Sequence, residues 1–150
     1  MTLEALLAYA HLLAILTMVV FLASEAALCR TEWLNAAVVQ RLAKIDRIYG
    51  IASVAVLATG LMRVFMGAKG GEWYGSNPLL YVKFGLFVVV GLLSIKPTLT
   101  FIRWQRVLHA SGALPGPDAV RQTRRLIMVQ AHILPFIPLA AVFLARGWKI

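Results

Sequence analysis

Four long apolar stretches set the pattern of the chain: residues 3–28, 48–66, 79–95 and 126–145. A hydrocarbon core about 30 Å thick takes roughly 20 helical residues to cross, so each stretch is read as a span. The third is the shortest, and its pattern continues past Pro97 into TLTFIRWQR as a partly amphipathic extension at the surface. Between the spans lie CRTEWLNAAVVQRLAKIDR, GAKGGEWYGSNP and HASGALPGPDAVRQTRR. Gly, Ser, Asn and Pro make the second of these a turn-rich loop. The expectation is an all-α fold, a single integral membrane domain built as a four-transmembrane-helix bundle.

Polar residues recur along the spans at helical spacing. Glu4, His11, Met18 and Glu25 are each seven positions apart, and two helical turns take about 7.2 residues. They therefore predict one inward stripe on span one, leaving the rest of its circumference for lipid. On span two, Tyr49, Ser53, Val56, Gly60, Arg63 and Gly67 follow steps of four and three. The small residues among them let helices approach closely. Span three places Lys83 with Phe87, Val90 and Ser94; span four places His132 with Pro135, Phe136, Leu139 and Phe143. Pro135 and Pro138 predict a break just beyond His132, because proline removes backbone hydrogen bonds. Such breaks are tolerated in membranes where neighbours or a cavity satisfy the freed groups.

Composition agrees with the pattern. The chain is 61% hydrophobic with a mean hydropathy of +0.81, and 14% of its residues are charged. Soluble domains carry about a quarter charged residues, so a water-soluble core is excluded. The net charge of +9 sits in short basic runs beside apolar segments, and no base-stacking surface is visible; nucleic acid is not an expected partner. Arg30, Arg41, Lys44, Arg47, Lys96, Arg103, Arg106, Arg121, Arg124 and Arg125 fall on one side of the membrane. Arg63, Lys69, Arg146 and Lys149 fall on the other, with Lys83 inside a span. This positive-inside bias puts both termini outside, in the periplasm for a bacterial inner-membrane protein. Trp73, Tyr74 and Tyr81 suit an interfacial aromatic belt. The single cysteine, Cys29, excludes an internal disulfide, and the N-terminus lacks the basic region of a cleavable signal, so span one is expected to be retained.

The titratable groups inside the spans hold the candidate chemistry. By helical rise, His11 lies roughly 12 Å below the outer end of span one, Lys83 about 6 to 8 Å below that of span three, and Arg63 near that of span two. His132 enters from the inner side, roughly 20 Å from the outer end of span four. A charge at the bilayer centre costs at least about 2.5 kcal/mol, which Lys83 and Arg63 reduce by stretching toward the interface. His11 has less reach. It is read as neutral, with a neighbouring helix, a water or a metal as partners for its ring nitrogens. Glu25 is read either as an interfacial carboxylate beside Arg47 or Lys44, or as a proton relay. Glu4 suits the positive end of a helix dipole, and Met18 is packing or a soft ligand.

This layout resembles two groups of bacterial membrane proteins. One is a group of uncharacterised four-span proteins. The other, more distant, is the four-helix membrane protoporphyrinogen oxidase family, which is haem-associated and marked by a histidine in its first helix and a lysine in its third. His11 in AYAHLLAI and Lys83 in LLYVKFGLFVVV occupy those positions, and RLAKIDRIYGIASVAVLATGL is similar to that family's basic entry into helix two. The chain departs from the family at ASEAALCRTEW in the first loop and at QAHILPFIPL in helix four.

The resemblance implies a haem-capable bundle. His11 would be an axial ligand to haem b and His132 the second, with Lys83 and Arg63 pairing with the propionates. The activity would be electron transfer or a haem-dependent oxidoreductase reaction, with quinone or a partner protein as redox partner. Two further readings stand beside it. One is a non-enzymatic small subunit or assembly protein, naturally a homo-oligomer, whose polar stripes hold helices together. The other is a transporter using Glu25, His11 and Lys83. Hydrolase and phosphate chemistry find no Gly-rich phosphate loop, no H-E-x-x-H and no G-x-S-x-G.

Overall fold

The computed structural model describes residues 2–67 and 70–148, without the side chain of Tyr74. Lys69, Lys149 and the Tyr74 ring, used above for orientation and for the aromatic belt, lie outside the described residues. The helices are α1 (Thr2–Leu28), α2 (Ala36–Met66), α3 (Gly70–Gly75), α4 (Pro78–Ser111), α5 (Pro117–Ile133) and α6 (Phe136–Ala145). Helices α1, α2 and α4, and α5 with α6 taken together, form four units long and apolar enough to cross a membrane.

Helix α2 starts well before the expected span. Asn35 caps it, its side-chain oxygen accepting from the Val38 amide at 2.9 Å. The first turns then bury Val38, Val39, Leu42 and Ala43 while Arg41, Lys44 and Arg47 stay exposed. Most of the supposed loop is thus an amphipathic helix, which a continuous apolar run does not reveal. Helix α4 starts at the Asn77 cap and runs unbroken through the buried Pro97, as the sequence pattern suggests. It ends where Gly112 takes φ 70 and donates its amide to the Leu108 carbonyl. That left-handed position favours glycine. The turn-rich loop contains the short helix α3.

The last span is interrupted at Leu134 and Pro135, as its prolines predict, but its inward face differs from the expected one. Thr123, Ile127, Gln130, Leu134, Ile137, Ala140 and Leu144 are buried, whereas His132, Pro135, Phe136, Leu139 and Phe143 are exposed. Gln130 and His132 are two residues apart, so they point to opposite sides of the helix. The interior is turned toward the amide, and the histidine is not its marker.

On α1 the stripe holds for His11, Met18 and Glu25, which are buried together with Leu7, Ala14 and Leu22; Glu4 is exposed. Ala14, Met18 and Leu22 pack with Leu42, Val56, Val90, Phe101 and Ile127 in one core. A smaller cluster of Leu79, Leu80 and Leu144 closes the end that carries the termini, where Asn77 Nδ2 donates to the Trp148 carbonyl at 3.1 Å. The exposed surface is apolar over the spans, with Leu12, Leu16, Val20, Ile51, Val54, Val88, Leu92 and Phe136 facing outward. That suits lipid.

Removing the α2 cap tests where this helix begins. Asn35→Ala should lower stability to thermal unfolding in detergent by about 1 kcal/mol, and Asn35→Asp should restore it. Equal stability of all three proteins would place the start of α2 elsewhere.

Candidate functional site

Two polar groups occupy the seam between α1 and α2, one in each half of the bundle. In the half nearer the termini, His11 is 6% exposed and its Nδ1 lies 2.8 Å from Thr59 Oγ1. The Thr59 hydroxyl donates its one proton back to the Ala55 carbonyl at 2.6 Å. Thr59 therefore accepts from His11, which assigns the ring proton to Nδ1 and leaves Nε2 with a free lone pair. The Val56 carbonyl also accepts a hydrogen bond from this imidazole. Gly60 lets the helices meet here, since a Cβ at this position would lie 3.3 Å from His11 Cε1.

Lys83 on α4 and Arg63 on α2 both act electrostatically on this imidazole, and Arg63 also acts on Lys83. Neither cation forms an ion pair among the described residues. The structure thus gathers His11, Lys83 and Arg63 into one basic group without a counter-anion. It leaves His132 out. That ring is exposed and its Nδ1 donates to the Met128 carbonyl of its own helix at 2.6 Å.

The second group lies toward the opposite end. Glu25 is 1% exposed and Asp46 is 5% exposed, and Asp46 is close enough to act on Glu25 electrostatically. Thr98 of α4 donates its hydroxyl to Asp46 Oδ1 at 2.9 Å. The Tyr49 hydroxyl donates to Gln130 Oε1 at 3.1 Å, tying α2 to α5. Glu25 Oε1 has no partner. Arg47 and Lys44 are exposed and form no ion pair with it, so Glu25 is enclosed by the helices and not paired with either cation. An ionised carboxylate enclosed in the bundle without a partner is costly. Two such charges with no ion pair to either add mutual repulsion to that penalty, so the pair cannot stay doubly charged without help.

Asp46, Thr98 and Gln130 were not evident as partners from apolar runs. Asp46 does extend the Tyr49–Ser53–Val56–Gly60 stripe back by one turn, but it falls in a segment whose basic residues suggest a loop. Beyond this group, near the α1–α2 turn, a cleft of about 310 Å³ is lined by Cys29, Arg30, Thr31, Glu32, Val120, Arg121 and Arg124. It does not border His132, where the prolines raised the prospect of a cavity. Among the described residues no three His, Cys, Asp or Glu side chains form a metal-binding group.

A bundle of four spans, apolar outside and carrying its few polar groups along internal seams, defines a helical integral membrane protein. The chain belongs to the family described as Predicted membrane protein (DUF2214), whose model matches residues 3–148. That range takes in both polar groups. No curated protein and no solved structure matches the chain.

Cys29, just past the end of α1, tests the packing at the cleft. Burial, with a smaller push from Glu25 and an opposing pull from Arg124, raises its thiol to about 12. The thiolate is the reactive form, so alkylation should be about a thousandfold slower than for a free thiol near pH 8 and rise with pH. Maleimide labelling before and after SDS unfolding measures this; equal rates would contradict the packing.

Proposed function

We propose that the chain is a b-type haem protein of the bacterial inner membrane, in which His11 would be the one protein ligand and both termini would be periplasmic. The observation that carries this reading is the state of the His11 ring. A neutral imidazole whose Nδ1–H is held by a hydroxyl has its ring orientation and tautomer fixed, with Nε2 as the nitrogen that would bind a metal. Lys83 and Arg63 supply the uncompensated positive charge that suits carboxylates such as the haem propionates. His11 and Lys83 are also the two positions that carry the family resemblance.

The donor set offers one histidine and not two, because His132 faces outward on its own helix. Haem held there would supply one-electron chemistry, with a potential tuned by its protein ligand and by burial. The chain's part is to hold the ring tautomer through Thr59, to neutralise the propionates and to exclude water. The role is electron transfer, with membrane quinones or a partner protein as the exchange partner. A cofactor-free subunit is the competing outcome.

The full chain, purified in mild detergent from cells supplied with haem precursor, should show a Soret band and reduced α and β bands. His11→Ala should abolish them and His132→Ala should leave them intact. Thr59→Val should weaken haem retention by about ten- to a hundredfold, the effect usual for a second-shell partner, and Lys83→Met by about tenfold or more. A folded, colourless parent protein, or a spectrum unchanged in His11→Ala, would overturn the proposal.

A further inference from the structure

The haem reading makes no use of the most deeply buried carboxyl among the described residues. Glu25 is 1% exposed, its Oε1 has no hydrogen-bond partner, and the charged group acting on it is another carboxyl, Asp46. Both carboxyls also act on Tyr49. The groups around this point come from three helices and the turn after α1: Cys29 follows α1, Asp46 and Tyr49 lie on α2, Thr98 on α4, and Gln130 and Arg124 on α5. Arg124 is the one cation in this set. It acts on Cys29, does not pair with Glu25, and leaves its own Nε without a partner.

What neutralises the pair is decided by the oxygens still free. A bound metal cation needs several oxygen ligands at once. Here no group of three His, Cys, Asp or Glu side chains forms among the described residues. Glu25 Oε1 is left over, and a proton needs one atom only. The Thr98 hydroxyl donates to Asp46, which places the single negative charge there and the acid form on its unpartnered neighbour.

We propose that Glu25 and Asp46 form a proton-binding site inside the membrane bundle, with Glu25 a neutral carboxylic acid at neutral pH and Asp46 the ionised partner held by Thr98. The site stands apart from the haem reading, in the opposite half of the bundle, and makes Glu25 a group able to take up and release a proton within the membrane.

The acid form has a direct infrared signature, the C=O stretch of a protonated carboxyl. The chain has six acidic side chains. Glu4, Glu32, Glu72 and Asp118 are exposed, so a protonated-acid band at neutral pH from the full chain in an ester-free detergent arises from the pair. The expected result is one such band, shifted on exchange into D2O, lost in Glu25→Gln and kept in His11→Ala. Should Glu25→Gln not fold, Asp46→Asn serves instead and must keep the band. Its absence from the parent, whether because Arg124 pairs with an ionised Glu25 or because thermal stability depends on added sodium, overturns the proposal. A band kept in Glu25→Gln or lost in Asp46→Asn overturns the assignment of the proton to Glu25.

Discussion

The hydrocarbon interior offers no water to a polar side chain, so each such group must find its partner within the bundle or remain costly. In this protein that constraint falls on the seam between α1 and α2. One antiparallel register brings His11 to Thr59 and Glu25 to Asp46, and the small residue Gly60 lets the backbones close on the imidazole. Membrane hydrogen bonds contribute only about 0.6 kcal/mol on average and reach about 1.7. An unpaired buried polar group costs several kcal/mol. The seam is therefore selected less by the strength of its bonds than by the penalty of any other register.

The two halves of the seam differ in charge. Toward the termini, His11, Lys83 and Arg63 gather with no ion pair among the described residues. Toward the other end, two carboxyls are buried while the arginines and lysines remain at the surface or around the cleft. Such a separation is poor design for stability alone, since placing each acid beside a base would relieve both halves. It does suit a protein whose basic half receives an anionic group from outside the chain and whose acidic half holds a proton, which is how the two proposals divide the molecule. The bonds from Thr98 to Asp46 and from Tyr49 to Gln130 then tie α4 and α5 to the acidic half, so its geometry depends on all four spans.

Much of this was legible from spacing. The seven-residue repeat of His11, Met18 and Glu25 located the buried face of α1, and the four apolar stretches located the spans. Where the reading failed, a charge hid a helix or one polar residue stood in for another. Arg41, Lys44 and Arg47 disguised the start of α2 as loop, because its apolar residues occupy one face and never form a run. On the last span His132 seemed the natural polar marker, yet Gln130 is the residue turned inward. The signal lay in the first turns of α5, where Arg121, Gln122 and Arg125 are exposed opposite the buried Val120, Thr123 and Ile127, ahead of the apolar run that marked the span. Glu25 looked interfacial beside nearby basic residues; packing against α2 and α5 encloses it instead.

The central claim is that the face of α1 carrying His11 and Glu25 is turned away from lipid. Single spin labels placed along residues 12–22 in a Cys29→Ala background, with the protein in lipid bilayers, would report contact with dissolved oxygen, which concentrates among acyl chains. Accessibility should oscillate at the helical period of about 3.6 residues, with minima at Ala14, Met18 and Leu22 and maxima at Leu12, Leu16 and Val20. Uniform accessibility, or the same oscillation with its minima at Leu12, Leu16 and Val20, would contradict it.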